Sequence, residues 1–145
     1  MAGEAIVKWG TQKTLEANGT GVGNGGIVQA DDASYDLVAD GASYPDAEFV
    51  LACTFSTAPT ENGTVALIAR PLNIDGTADA DTPEFSRQVQ FIGSFIVNNV
   101  TTTQNLWLIG YDLPKEANYW LANNAGQSIA AGWTLKVTPR TIGPA

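Results

Sequence analysis

Residues 85–111 read FSRQVQFIGSFIVNNVTTTQNLWLIGY, two apolar runs joined by the polar hinge Asn98 to Thr103. In the first run Val89, Phe91, Phe95 and Val97 share one phase, while Ser86, Gln88 and Gln90 occupy the other. That period of two marks a half-buried strand. The second run, Leu106 to Tyr111, is apolar in both phases, as in a strand covered on both sides. Together they predict a long β-hairpin across the middle of a sandwich. Truncating Val89, Phe91, Phe95 or Val97 is then expected to cost about 2–5 kcal/mol each.

Outward from this stretch, strand signals recur at short intervals. Phe49, Leu51, Cys53 and Phe55 alternate with polar or small residues, and Val65 to Ala69 returns after a turn, which suggests a second hairpin. Ile27 to Ala30 and Tyr35 to Ala39 flank a turn-like Asp31-Asp32. Pro114 is placed to open one helical turn. Asn118 to Ala122 reads as a short aromatic strand. Trp133, Leu135 and Val137 alternate with Thr134, Lys136 and Thr138, and Pro139 is expected to end that strand. No window sustains a helical period. The fold class is therefore all-β, an antiparallel β-sandwich of jelly-roll type. An immunoglobulin-type Greek key is the alternative, and it lacks the Cys…Trp…Cys spacing. Five of the fifteen glycines fall between Asn18 and Gly26, too little side chain for a core. Residues 1–26 read as an extended Gly-rich N-terminal arm, and 27–145 as the β-sandwich domain.

Composition narrows function by exclusion. At 145 residues the chain has room for a single core. Its charged fraction, 15%, is low, so Thr, Asn, Ser, Gly and Ala must cover the surface. A net charge of −8 with no basic cluster argues against nucleic acid as a partner. Neither a signal peptide nor a run of transmembrane length is visible, so no membrane role is expected. The single cysteine, Cys53, cannot form an internal disulfide and reads as a small buried hydrophobe. No histidine is present, which removes the commonest general base and most transition-metal sites. Glu48, Glu61, Glu84 and Glu116 lie at strand ends or turns, where solvation keeps a carboxylate ordinary. An enzyme is not expected, and neither catalytic residues nor a cofactor are assigned.

Two constellations remain. Asp75, Asp79 and Asp81, with Asn73 and Thr82, offer hard oxygen ligands suited to Ca²⁺. The spacing is not that of an EF-hand, and a solvated acidic loop with no metal is the favoured reading. Trp107, Tyr111, Tyr119, Trp120 and Trp133 concentrate in the last third. Trp107 and Trp133 lie within strand patterns and are expected in the core. Trp120, among polar neighbours, is the candidate exposed ring for stacking on a sugar.

Four segments carry a resemblance: Tyr44 to Leu51, Ala69 to Gly76, Gly93 to Thr101 and Ala131 to Arg140. In their order the chain resembles small virion structural proteins of tailed bacteriophages. Among these, single-domain acidic β-sandwiches look like head decoration, or cement, proteins. The resemblance implies a virion component made in the host cytoplasm, whose partners are the major capsid protein and itself, as a homotrimer. It transfers no binding residue. A carbohydrate-binding module at a fibre or tail tip, or a small tail or connector component, are the alternatives.

Overall fold

The fold was analysed in a computed structural model that describes residues 4–87 and 90–144. Nine strands run β1 Ala5–Trp9, β2 Lys13–Gly19, β3 Ile27–Asp36, β4 Asp46–Cys53, β5 Thr64–Pro71, β6 Phe91–Ile96, β7 Gln104–Gly110, β8 Glu116–Asn124 and β9 Trp133–Pro144. They form two antiparallel sheets. In one the order is β1-β9-β4-β7, with β2 also paired to β9; in the other it is β3-β8-β5-β6. The inner faces share one core. Phe49 of β4 meets Tyr119 of β8 at 4.8 Å between ring centroids, and Tyr119 meets Tyr35 of β3 at 6.4 Å. Among the described residues there is no helix, so the turn expected at Pro114 is a non-helical bend.

Alternation held where a strand is regular. Phe49, Leu51, Cys53 and Phe55 are all buried, as are Trp133, Leu135 and Val137. β9 does not stop at Pro139 but continues to Pro144, because the Pro139 carbonyl still accepts from Gly10 N–H at 2.8 Å. Nor is Asp31-Asp32 a turn: it lies within β3, where a register shift between Ala30 and Tyr35 absorbs it.

Both expected hairpins are corrected. β4 pairs with β7 and β9, whereas β5 pairs with β6 and β8. Likewise β6 and β7 lie in opposite sheets, and the hinge Asn98 to Thr103 carries the chain across the gap between them. Phe95 and Val97 on one sheet and Leu106 and Leu108 on the other bury in the same core, facing it from opposite sides. The close approach is visible at Gly93, where a Cβ would stand 3.3 Å from Leu108 Cδ2. Gln104, itself buried, fixes the crossing: its amide accepts from Asn98 N–H and donates to Asn98 C=O, both at 2.8 Å.

The expected phase of β6 survives only in part. Phe95 and Val97 are buried, but Phe91 is 55% exposed, and Val89 lies outside the described residues. A bulge explains the change: Gly93 pairs with Leu67 while Phe91 pairs with Ile68, so the strand switches face at Ile92-Gly93. Phe95→Ala is therefore expected to cost about 3–5 kcal/mol and Phe91→Ala less than about 0.5 kcal/mol, measured by urea denaturation. Equal losses would show that the bulge is wrongly placed.

The free arm is also corrected. β1 and β2 hydrogen-bond in succession along one edge of β9. Leu15 and Val22 belong to the main core. The glycine-rich segment is held by backbone bonds, Val22 with Ile129 in both directions and Gly25 N–H to Asn123 C=O. The buried Asn123 amide adds bonds to the carbonyls of Val22 and Gln127, at 2.9 and 2.8 Å. At Gly19 the missing side chain permits close packing, since a Cβ there would overlap the Trp133 ring.

Candidate functional site

The outer face of the five-stranded sheet is the most distinctive surface. On β9, Leu135, Val137 and Pro139 point to the core, so Lys136, Thr138 and Arg140 point outward. On β7 the same logic turns Asn105, Trp107 and Ile109 outward. Register sets Trp9, Arg140 and Asp46 side by side in one transverse row, and Lys136, Val50 and Trp107 in another. Tyr111 follows Gly110, whose partner is Ala47, and so extends the first row; Asp112 N–H donates to Asp46 Oδ1 at 3.0 Å. Trp107, Tyr111, Ile142 and Trp9 are 65%, 62%, 59% and 50% exposed. Single exposed hydrophobes are ordinary, whereas several large ones on one face mark an interaction surface.

Beyond Asp46, where β4 begins, β1 and the last residues of β9 continue as a two-stranded ribbon. It carries Val7 and Ile142 on the outer side and Ile6 on the other, all exposed. A two-stranded ribbon is marginal in water without a covering layer. Here the Arg140 guanidinium lies 5.8 Å from the centroid of the Trp9 ring and helps tie β1 to β9.

These positions correct the aromatic assignment. Trp133 is buried as expected, and its Nε1–H donates to Thr20 C=O at 2.7 Å. Trp107 is exposed because it lies on the outer face of β7, away from the core; the reading of this run as covered on both sides fails for the same reason. Trp120 is half-buried against Ile68 and Ala122, not a free platform. The alternation of Trp107 and Ile109 with Leu106 and Leu108 was legible in the sequence; which phase faced water was not.

The acidic loop is not gathered around a common point. Asp75 Oδ1 accepts from the N–H groups of Thr77 and Ala78 at 3.0 and 2.6 Å, and these bonds hold its carboxyl below the usual range. Asp79 Oδ1 accepts from Asn73 N–H at 3.1 Å, and Asp81 stands 3.8 Å from Arg87. Asp75 and Asp79 thus serve the loop's own backbone, and Asp81 faces Arg87. Beside this loop a cleft of about 220 Å³ lies between Pro71–Ile74 and Pro114–Glu116, below the usual size of a ligand pocket.

A different trio is brought together: one carboxylate oxygen each of Glu16, Asp31 and Asp32 lie within 4.8 Å of one another. They could in principle ligate a cation. However, Glu16 is occupied by accepting from Asn18 and Asp31 N–H at 3.1 and 3.0 Å, and Asp32 by accepting from Ala17 N–H at 2.7 Å. These bonds tie β2 to β3 where both strands are irregular. Burial pushes the Glu16 carboxyl above the usual range, with repulsion from Asp32 adding to it.

Nearby, Lys13 Nζ bridges Asp40 Oδ2 at 2.7 Å and Ser34 C=O at 2.8 Å. Burial alone would raise the Asp40 carboxyl, but the bonds from Lys13 and from Asp36 N–H outweigh it and hold it below the usual range. A lowered folded value contributes stability at neutral pH that is lost as pH falls through the carboxylate range; Glu16, with a raised folded value, works in the opposite direction. Asp40→Asn is thus expected to melt lower than wild type at pH 7, with the gap closing below about pH 4. A gap that stays constant would remove the assigned pairing. Cys53 is buried and its thiol is pushed up to about 11 by burial, which makes it a poor nucleophile.

No protein-family model matches this chain, and no curated protein matches it in sequence. Among the described residues no helix is long and apolar enough to cross a membrane.

Proposed function

We propose that the chain is a virion structural protein, a head decoration protein that binds between major capsid subunits and stabilises the shell. The observation that carries this reading is the strand order. With β1 set aside, the order β2-β9-β4-β7 facing β3-β8-β5-β6 supports a jelly-roll reading, an architecture shared by viral capsid proteins and lectins. The outer face with Trp9, Trp107 and Tyr111 supplies what a cement protein requires, a rigid apolar contact surface rather than a reaction centre. The exposed hinge Asn98 to Thr103 offers a second, polar contact at the end of the sheets.

The test is reconstitution. Purified chain added to undecorated phage heads is expected to co-sediment with them and to raise their disruption temperature. Density for the chain only on the tail of a purified particle would end the head assignment. A carbohydrate-binding reading is favoured by one observation, the flat exposed Trp107 ring. Glycan binding lost in Trp107→Ala and retained in Trp120→Ala would establish it instead.

A further inference from the structure

We propose that the outer face of the five-stranded sheet is self-complementary and packs against the same face of a second copy of this chain, about a two-fold axis parallel to the strands. The charge layout carries the proposal. Outward residues of β9 include the cations Lys136 and Arg140, and outward residues of the adjacent β4 include the anions Asp46 and Glu48. Among the described residues none of these four charges makes an ion pair within the chain, although Arg140 and Asp46 are register partners. Arg140 turns to Trp9 instead. The sheet thus presents one basic and one acidic stripe, side by side and unneutralised.

Only one way of stacking two such faces satisfies both stripes. A two-fold axis lying between β9 and β4, parallel to them, sets the basic stripe of each copy over the acidic stripe of the other. An in-plane axis perpendicular to the strands stacks β9 on β9 and β4 on β4, which brings like charges together at a cost of several kcal/mol. The favoured axis preserves position along the strands, so each transverse row meets its own reverse. The row Trp9–Arg140–Asp46–Tyr111 then sets Trp9 over Tyr111 of the second copy and Arg140 over its Asp46. Both contacts occur twice. The strands of the two faces run nearly aligned, as in ordinary sheet-on-sheet packing with about 10 Å between layers.

This pairing goes beyond the virion reading and does not depend on it; in a virion the second copy covers this face, and the exposed hinge Asn98 to Thr103 is the contact left for the capsid. It is pairwise, and so differs from the homotrimer that the family resemblance implies. Sedimentation equilibrium of the full chain between about 1 and 100 µM covers the range expected of a modest apolar contact. The mass is expected to rise from 15.2 kDa toward twice that value. Tyr111→Ser, Lys136→Glu and Glu48→Lys are each expected to weaken association about tenfold or more. Inverting both stripes together, Lys136→Glu and Arg140→Glu with Asp46→Lys and Glu48→Lys, is expected to restore it to within about threefold, since the two stripes again oppose. All these substitutions are on the outer face, and unchanged melting temperatures at low concentration check the fold. A mass of 15.2 kDa throughout, the mass of three subunits, or a stripe-inverted variant no tighter than the single ones would each overturn the proposal.

Discussion

Trp133→Ala is expected to cost about 3–5 kcal/mol, a large share of the roughly 5–15 kcal/mol that holds a domain of this size together. Trp133 is fully buried at the start of β9, and its indole packs directly on Gly19 of β2. Truncation leaves a cavity the size of the ring, and Thr20 C=O loses its donor. The reverse substitution tests the same contact from the other side. A Cβ at Gly19 would overlap the indole ring, so Gly19→Ala is expected to cost about 1–3 kcal/mol or more through overpacking. Urea denaturation monitored by circular dichroism measures both. Variants that unfold at the wild-type urea concentration would mean that Trp133 does not close this end of the core.

Deleting residues 1–26 is expected to abolish cooperative unfolding. The deletion takes Leu15 and Val22 out of the main core and strips β2 from β9, leaving Trp133 without its cover at Gly19. It also removes the Glu16 carboxylate that accepts from Asp31 N–H and helps hold β3. Losing two buried aliphatic side chains alone costs about 4–10 kcal/mol, enough to exhaust the stability of most domains. A shorter deletion, through Gly10, removes only the exposed β1 and is expected to leave a sharp transition. A cooperative melt in the longer truncation would restore the view of this segment as a dispensable arm.

The two deletions mark where sequence reading succeeded and failed. Glycine content at Asn18 to Gly26 suggested an arm, because glycine is as compatible with a flexible chain as with tight packing. Gly19 is required by the indole that rests on it, and that indole is more than a hundred residues away in the chain. Phe91 failed for a related reason. Its phase was extrapolated from Phe95 across Gly93, and a single bulge residue reverses every side chain beyond it. The acidic trio Glu16, Asp31 and Asp32 went unread because its members come from two strands, whereas Asp75, Asp79 and Asp81 drew attention by proximity in sequence alone.

What the sequence by itself determined is burial within each regular strand. The pleat turns successive side chains to opposite faces, so the alternation of Phe49, Leu51 and Cys53, or of Trp133, Leu135 and Val137, states which face is apolar without reference to the rest of the molecule. What only the tertiary structure decided is the pairing. Backbone N–H and C=O groups are the same in every strand, so residues 85–111 read equally well as a hairpin or as a crossing between two sheets. The crossing prevails because it lets Phe95, Val97, Leu106 and Leu108 bury against one another from opposite sides. That choice makes β7 an edge strand and leaves Trp107 in water, where a second molecule can reach it.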